Sequence, residues 1–484
     1  MTMDAKHLIA LALIAAALPM SVAICCISRR AREAAFFLMA VSTVLAARFG
    51  VEFASQYWYR GTTRGFEITV IDILAVGVLF SSLLLPRPGQ ARWFWPASLG
   101  LMGLYLVYAS FSVAISEPKL YGLFELSKIL RGMLVFVAAA VFVRSERELK
   151  LLVLALGCAI CFEAALALKQ RYLNGVYRVT GSLDHPNSLS MFLCMSAPVL
   201  VAAATSNFPR WVRYFSFLCI TAATVSVLLT VSRAGIPIFG LVVLGATAAC
   251  ASWRITFKKV LATMLIGVAA SALVYKSWST IKARFGEATL REEYLDENVE
   301  GRGMYLRLAW AIVSERPLGV GLNNWSYWVS KSYGARLDLK YEDYDDIEAS
   351  PSKLALPSIH YAAPAHSLGA LTVGELGWPG LVLFALMWLR WFGMGAGFVF
   401  KRSADVMLRI GAGLCFSVGG VFLQSLTEWT YRQTAIFLMS SILLGALASL
   451  HHIKRNAHRT ERQPPASRVA RPVNLELAGA STAG

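Results

Sequence analysis

Charged residues are scarce in this chain, and their scarcity decides its class. Asp, Glu, Lys and Arg make up 15% of the 484 residues, whereas hydrophobic residues make up 57%. The mean hydropathy is +0.56. Soluble globular domains have about 25% charged and about 45–50% apolar residues. The composition therefore excludes a soluble globular protein and predicts a chain that lies largely within a membrane.

The sequence signatures of several large enzyme classes are also missing. The chain contains no GxSxG, no P-loop and no HExxH pattern. These absences argue against a serine-hydrolase elbow, a nucleotide-binding loop and a zinc-protease helix. His360 and His366, together with an acidic run, leave a metal site as an alternative, but their spacing matches no zinc motif. We therefore predict no metal and no cofactor.

Cysteine is used sparingly and only in apolar surroundings. All eight cysteines fall inside apolar stretches. Cys158 and Cys161 have CxxC spacing, but the sequence has no second pair. Small apolar packing is favoured over a redox or metal-binding role for these residues.

Long apolar runs, in contrast, are abundant. A hydrocarbon core of about 30 Å is crossed by about 20 apolar residues in a helix. Windows of that length predict an all-α polytopic membrane protein with about 12–13 transmembrane helices. No signal-cleavage pattern stands out, so the first run is expected to be a permanent helix. The predicted spans centre on residues 8–27, 34–53, 68–85, 94–114, 122–143, 149–168, 186–205, 213–231, 236–252, 260–277, 367–389, 406–426 and 433–450.

These spans divide the chain into four predicted parts. Residues 1–278 hold transmembrane helices 1–10, and residues 366–450 hold helices 11–13. Residues 279–365 form a large polar loop between them, with apolar positions at helical spacing in its middle. Residues 451–484 form a basic tail without periodicity, which we expect to be disordered and to contact membrane lipids.

Basic residues set the predicted orientation. Loops rich in Lys and Arg alternate along the chain, so one orientation places all of them in the cytoplasm, as the positive-inside rule requires. Topology thereby explains the net charge of +17 and the pI of about 9.6, and nucleic acid is not an expected partner. The loop at 279–365 then lies outside, with nearly half of all carboxylates.

An arginine interrupts the longest apolar run. Residues 214–253 form an apolar stretch of about forty residues that is broken once, at Ser232-Arg233-Ala234-Gly235. Two helices must therefore fold back on each other with Arg233 at the apex. The predicted orientation puts this apex outside, where arginine is normally scarce. Arg178 and Arg302 lie on the same side, and arginine forks suit phosphate oxygens, so these residues predict an anion site.

A charged triplet lies inside the fifth predicted span. Glu125, Lys128 and Arg131 fall on one face of the outer half of that helix. Charges within a membrane usually face a cavity or one another. One interpretation is a polar site that opens outward. The other is a cluster that neutralises itself and reaches the interface.

Two histidines mark predicted helix starts on the outer side. His185 precedes Pro186, a residue suited to the first turn of a helix, and Asn187 follows. His366 lies where the large loop re-enters the membrane, with Glu375 further along. A histidine at a helix start acts either as a cap or interface residue or as a catalyst, and both interpretations remain open.

Together these motifs resemble the O-antigen ligase family, which includes O-antigen ligases and related polysaccharide polymerases. Ser367 stands where many relatives carry Asn, and the predicted helices number one more than the ligases usually have. The resemblance covers roughly residues 170–390. The matching stretches, in order, are Arg178 with Gly181-Ser182-Leu183-Asp184-His185-Pro186-Asn187, Thr230-Val231-Ser232-Arg233-Ala234-Gly235, Gly301-Arg302 with Trp310 and Pro317-Leu318-Gly319-Val320-Gly321, and His366 with Glu375-Leu376-Gly377-Trp378-Pro379-Gly380.

The resemblance implies a GT-C-like membrane glycosyltransferase that uses an undecaprenyl-pyrophosphate-linked glycan and needs no metal. His366 would be the general base that takes the proton from the acceptor hydroxyl. Imidazole, with an ordinary pKa of about 6.5, suits that task. The expected acceptor is lipid A-core or a growing glycan, at the periplasmic face of a bacterial inner membrane. The donor pyrophosphate would be bound by Arg178, Arg233, Arg302, Lys128 and Arg131, with possible support from His185, Asn187 and Glu375.

Two other functions stay open at this point. One is a protein O-oligosaccharyltransferase, and the other is a non-enzymatic polysaccharide transporter or flippase. A flippase would carry cationic residues along a path through the membrane. Here the arginines cluster at the outer face beside the large loop, which favours catalysis there.

Reporter fusions test the predicted orientation. A fusion at Asp338 should report an extracytoplasmic location and one at Arg459 a cytoplasmic one, because the basic loops define the inner side. Alkaline phosphatase and green fluorescent protein, each fused at both positions, give opposite readouts. Equal cytoplasmic activity at the two positions would contradict the orientation.

Overall fold

The computed structural model describes residues 5–46, 50–86, 91–251, 301–349, 361–400 and 403–462, with residues 257, 264, 267, 268, 271, 272, 275 and 278–286. Most of the predicted tenth span at 260–277 lies outside the described residues. The acidic residues at 292–297, His360 and the tail beyond residue 462 lie outside them as well.

Helices dominate the described chain. One small antiparallel sheet joins β1 (Gly50–Phe53) to β2 (Phe66–Thr69), with Gly50 opposite Thr69. The helices are α1 (Ala5–Ile27), α2 (Arg29–Val41), α3 (Val70–Leu84), α4 (Leu99–Ile115), α5 (Lys119–Phe142), α6 (Glu146–Leu168), α7 (Pro186–Thr205), α8 (Arg210–Thr230), α9 (Gly235–Cys250), α10 (Trp278–Gly286), α11 (Arg302–Glu315), α12 (Trp325–Trp328), α13 (Tyr344–Ala349), α14 (Leu368–Val399), α15 (Val406–Ser425) and α16 (Thr434–Arg462).

The predicted class, an all-α polytopic membrane protein, is confirmed. Within the described residues, seven helices are long and apolar enough to cross a membrane: α1, α6, α7, α8, α14, α15 and α16. Helices α3, α4 and α9 are apolar but shorter. Helix α5 has 24 residues and carries Glu125, Lys128 and Arg131. The described count of span-length apolar helices therefore lies below the predicted 12–13.

The single span predicted at 34–53 was wrong. Helix α2 ends at Val41, and a 3-10 turn at Ser42–Leu45 follows it. The Thr43 hydroxyl donates to the carbonyl of Ala40 in the last turn of the helix. The chain then pairs as β1 with β2, so one apolar run serves both a helix and a strand. Apolarity alone does not distinguish these two uses.

Helix α7 is the centre of the bundle. Of its most apolar window, 89% is buried, and it packs against α8, α9 and α15. Helix α15 approaches α7 closely, because two of its residues in the contact are glycines, which have no side chain. A Cβ on Gly413 would lie 2.7 Å from the carbonyl oxygen of Pro198, and one on Gly420 would lie 2.8 Å from that of Cys194. Small residues permit such backbone contacts between membrane helices, and here they fix the end of α15 beside the start of α7.

The basic connections converge at one end of this bundle, which we call the basic end. Arg29, at the start of α2, pairs with Glu148 on α6 at 3.1 Å. Arg147 pairs with Glu33 at 2.5 Å. The backbone amide of Asn207, after α7, donates to the carbonyl of Ala404, before α15. The alternation seen in the sequence is thus also a spatial grouping, while the side of the membrane stays a prediction.

Helix α14 is broken at Gly377, and a segment of the large loop fills the break. Gly377 has φ 65° and ψ −168°, which interrupts the helical hydrogen bonds. The amides of Val320 and Gly321 donate to the carbonyls of Gly374 and Glu375, at 3.0 and 2.8 Å. The amide of Trp378 donates to the carbonyl of Pro317 at 3.1 Å. Two stretches noted separately in the sequence, 317–321 and 375–380, therefore form one docked unit.

Helix α11 packs on the same half of α14. Its buried face includes Leu308, Ala309, Ile312 and Val313, which confirms the predicted helical stripe. This packing, with the docked turn that follows the helix, positions Arg302 at the start of α11 relative to the start of α14.

Replacing Gly377 by Ala tests the break in α14. A Cβ there would lie 2.0 Å from the carbonyl oxygen of Pro317, in a backbone conformation that costs other residues about 1–3 kcal/mol. We expect Gly377→Ala to lower the midpoint of thermal unfolding in detergent clearly. Gly393→Ala on the same helix is the control, because a Cβ there meets nothing within 4 Å. Equal midpoints for the two variants would contradict the docking.

Candidate functional site

The candidate site lies at the end of the bundle opposite the basic end and centres on Glu428. This residue belongs to the connection between α15 and α16, residues 426–433, which we call the site loop. Its side chain is only 2% exposed. Glu428 Oε1 accepts hydrogen bonds from Asn187 Nδ2 at 2.6 Å and from an Arg302 guanidinium nitrogen at 2.7 Å. Its Oε2 lies 2.9 Å from His366 Nδ1. Three residues proposed from the sequence thus meet at one carboxylate.

Helix ends bring these side chains together. Asn187 lies in the first turn of α7, Arg302 in the first turn of α11, and His366 directly precedes the cap of α14. That cap is Ser367, whose side chain accepts from the amide of Ala370 at 3.4 Å. The interpretation of His366 as the helix cap is therefore wrong, and its ring is used in contact with Glu428.

His185, in contrast, is a cap. It is the N-cap of α7, and its Nδ1 accepts from the backbone amide of Asn187 at 3.1 Å. Burial lowers the pKa of His185 against the attraction of Glu428, which favours the neutral ring that this acceptor role needs. Its cap hydrogen bond fixes the backbone that presents Asn187 to Glu428.

Arg178 and Arg233 lie beside this cluster. An Arg178 guanidinium nitrogen is 3.5 Å from Asn187 Oδ1, and its Nε is 3.4 Å from the carbonyl of Thr230. Ser232, next to Arg233 at the hairpin apex, donates to the same Asn187 oxygen at 2.9 Å. Burial lowers the pKa of Arg178, Glu428 opposes this shift, and the neighbouring charge of Arg233 adds to it. Three of the predicted arginines therefore share one neighbourhood.

The loop that carries Arg178 is held by two side chains of the sixth helix and its extension. The buried Glu163 carboxylate accepts from the amide of Ser182 at 2.9 Å and also from the Ser182 hydroxyl. Gln170 Oε1 accepts from the amides of Thr180 and Gly181, each at 2.9 Å. The position of Arg178 is therefore set by backbone hydrogen bonds to α6 rather than by the loop alone.

The ionisation state of Glu428 determines which ring nitrogen of His366 carries the proton. Burial raises the pKa of Glu428, but the hydrogen bond and charge of His366 and the charge of Arg302 outweigh burial, so its pKa is lowered. An ionised carboxylate can only accept hydrogen bonds, so His366 Nδ1 is the donor. In the neutral ring, Nε2 then carries the free lone pair. The His366 side chain is 36% exposed.

Lys128 belongs to a second cluster, the buried ion network. Lys128 Nζ contacts Glu125 at 2.7 Å and donates to the carbonyl of Arg432 at 2.6 Å. Arg432, on the site loop, bridges Glu125 at 3.0 Å and Glu375 at 2.6 Å. The two cations and two carboxylates of this network balance, but Arg432 and Glu375 contribute to that balance, so the triplet seen in the sequence does not neutralise itself alone.

Arg131 lies one turn further along α5 and is paired as well. It contacts Glu67 at 3.0 Å and Asp72 at 2.9 Å. Neither Lys128 nor Arg131 is brought to the Glu428 cluster. Pyrophosphate binding by these two residues stays a prediction, and the geometry offers it no support.

Glu428 is the residue that sequence reasoning missed. The sequence places it in a short turn between two apolar spans, far along the chain from the predicted arginines, so no local pattern singled it out. Gln424 was missed too, and its Nε2 donates to the carbonyl of Asn187 at 2.9 Å. Among the described residues, no three His, Cys, Asp or Glu side chains converge in a group suited to a metal ion.

Comparison with known families gives a match in the middle of the chain. Residues 215–385 match the family model described as O-antigen ligase. The matched range includes Arg233, Arg302 and His366, whereas Arg178 and Glu428 lie outside it. A search of curated proteins finds no match to this chain.

Glu428→Gln tests the centre of the cluster. The folded-state pKa of Glu428 is lowered from its ordinary value, chiefly by the hydrogen bond and charge of His366 and by the charge of Arg302, which outweigh burial. The carboxylate therefore stabilises the fold above that ordinary value, and the stabilisation is lost as the pH falls through the folded-state pKa. Near pH 7 we expect the variant to lose about 3–5 kcal/mol of unfolding free energy, since Arg302 loses its buried counter-charge.

Thermal unfolding between pH 3 and pH 7 measures both effects. The variant should be less stable at neutral pH and should lose less on acidification than the wild type. Glu117→Gln is the control, because Glu117 is 72% exposed in its pair with Lys119. A Glu428→Gln protein as stable as the wild type across this range would show that the cluster does not depend on the charge.

Proposed function

We propose that this chain, a polytopic membrane protein whose residues 215–385 form an O-antigen ligase domain, transfers a glycan from an undecaprenyl-pyrophosphate donor to an acceptor hydroxyl. The family is of the ligase and polymerase type of membrane glycosyltransferase. The observation that carries the proposal is the shared carboxylate of Glu428, which joins Arg302 through one oxygen and His366 through the other. A cation and a base are thereby held side by side at one end of the bundle.

The donor pyrophosphate is bound by Arg178, Arg233 and Arg302. Arg302 pairs with Glu428, and Arg178 lies close enough to both Glu428 and Arg233 to feel their charges, so a pyrophosphate placed here would meet several guanidinium groups. Planar guanidinium groups offer paired donors to phosphate oxygens. As the bond from the anomeric carbon to the phosphate oxygen breaks, negative charge grows on the pyrophosphate, and fixed cations stabilise that change.

His366 is the general base. Its Nδ1–H donates to Glu428, so Nε2 receives the proton of the acceptor hydroxyl while the acceptor oxygen bonds to the anomeric carbon. Glu428 stabilises the imidazolium that forms and holds the ring in the required tautomer. His185 and Asn187 support this step by positioning, through the cap and the amide contact to Glu428.

Glu375 supports the site from a distance. Its carboxylate pairs with Arg432, four residues along the site loop from Glu428, and its backbone carbonyl accepts from Gly321. Glu375 thus connects the broken helix α14 to the loop that carries Glu428. Its role is to position that loop.

We propose ligation to lipid A-core, or polymerisation of surface-glycan repeat units, at the periplasmic face of a bacterial inner membrane. Transfer to a protein hydroxyl needs the same proton transfer and remains the alternative acceptor chemistry. A flippase is less favoured. Lys128 and Arg131, the cations in the middle of α5, are already paired with carboxylates, so they offer no anion path through the membrane.

His366→Ala separates binding from chemistry. We expect the variant to bind lipid-linked donor as the wild type does, because the arginines remain, and to lose about 10²–10⁴-fold in transfer.

Arg233→Lys should instead weaken donor binding, because an ammonium group cannot reproduce the guanidinium fork. Donor binding and transfer are measured on purified protein in nanodiscs, with chelator present.

His452→Ala is the matched control. His452 stacks on Phe94 at the basic end, 4.1 Å between ring centroids, so its removal should leave both measurements near wild type. Transfer by His366→Ala within a few-fold of the wild type would show that another residue is the base.

A further inference from the structure

A second group of arginines forms a pocket at the basic end, remote from Glu428. The pocket lies where α2 begins and where α3 and α5 end. It is a small pocket that opens to solvent. Arg32, Arg92 and Arg144 line it, together with Ser82, Leu85 and Ala91. The described residues of the lining include no Asp or Glu.

Arg32 is the informative member of this group. It is only 8% exposed, although it carries a full positive charge. One of its terminal nitrogens donates to the carbonyl of Leu85 at 3.1 Å. Its Nε is buried and has no hydrogen-bond partner among the described residues. A buried guanidinium in this state is costly unless an anion completes its coordination.

Arg144 is fixed in a position that suits the same ligand. One of its terminal nitrogens donates to the carbonyl of Ala91 at 2.6 Å. Its guanidinium also lies over the ring of Phe94, 4.8 Å from the centroid. The side chain is thus preorganised before any ligand arrives, which lowers the entropic cost of binding.

The nearby carboxylates are engaged elsewhere. Glu33 pairs with Arg29 at 2.9 Å and with Arg147 at 2.5 Å. Glu148 pairs with Arg29 at 3.1 Å. These pairs use Arg29 and Arg147, which lie outside the pocket lining.

We propose that this pocket binds a phosphate group with net negative charge, in the first place the headgroup phosphate of an anionic phospholipid. Arginine forks match phosphate oxygens. The pocket lies where membrane helices end, and Trp93 and Trp95 in the same connection are 41% and 67% exposed. Exposed tryptophans are typical of the headgroup level of a bilayer. Free inorganic phosphate shares this chemistry and is the other source to be tested.

This inference does not rest on the proposed transfer reaction. The pocket is at the opposite end of the bundle, and its ligand would act by stabilising the packing of α2, α3 and α5. Loss of the lipid site would leave donor binding at the Glu428 cluster intact, so the two proposals fail separately.

The test uses full-length protein that has been delipidated in detergent. Native mass spectrometry and thermal unfolding are recorded with dioleoyl phosphatidylglycerol, with the zwitterionic dioleoyl phosphatidylcholine, and with inorganic phosphate. The wild type should bind phosphatidylglycerol and unfold at a higher temperature with it than with phosphatidylcholine. Arg32→Gln should bind phosphatidylglycerol about tenfold more weakly and lose most of the temperature shift. Arg30→Gln, an exposed neighbour on α2, should behave as the wild type.

Folding of the variant is checked in the same experiment. Without lipid, Arg32→Gln should be at least as stable as the wild type, because it removes a buried charge that lacks an anion. If it fails to fold, Arg92→Gln at the exposed rim is the second variant, with an expected several-fold loss of binding. If inorganic phosphate alone raised the unfolding temperature as much as phosphatidylglycerol does, the pocket would be a phosphate site, and the proposal that a lipid headgroup supplies the phosphate would be overturned. Equal lipid binding by wild type and Arg32→Gln, or equal loss in Arg30→Gln, would overturn the site.

Discussion

The burial of one carboxylate constrains the end of the bundle that holds the candidate site. Glu428 is 2% exposed, and such a charge is tolerated only where donors and opposite charges surround it. Asn187 and Arg302 satisfy one oxygen and His366 the other. These partners come from the starts of α7, α11 and α14, elements far apart in the chain. Their meeting at Glu428 therefore fixes the relative positions of three helix ends, and with them the candidate site.

The site loop also connects the Glu428 cluster to charged side chains that are buried between the helices. Four residues after Glu428, Arg432 bridges Glu125 on α5 and Glu375 on α14. Glu375 lies just before the break at Gly377, whose free carbonyls are occupied by the turn at 317–321. A single short connection thus couples the Glu428 cluster to the buried ion network and to the packing of the large loop. Lys128 and Arg131 pair with carboxylates of their own surroundings, whereas Arg302 pairs with Glu428 and Arg178 lies near both Glu428 and Arg233.

Much of the site was predictable, for particular reasons. Arg233 was found because an arginine between two apolar runs, on the side that lacks basic residues, calls for a physical explanation. His366 and Arg302 were found from the resemblance and from helix starts in the large loop. Glu428 was missed because a lone carboxylate in a short turn has no pattern of its own. Its importance depends on Asn187, 241 residues away, and on Arg302, 126 residues away.

The sequence by itself determined the membrane class, most helix positions and the grouping of basic loops, because hydrophobic length and charge are local properties that act on each segment independently. Tertiary structure alone decided which remote carboxylate a cation meets: Asp72 for Arg131 and Glu428 for Arg302. It also decided that the apolar run at 34–53 divides into a helix and a strand, and that 317–321 fills the break in α14. Each of these outcomes depends on the distance between residues remote in the chain, and such distances are set only when the helices pack.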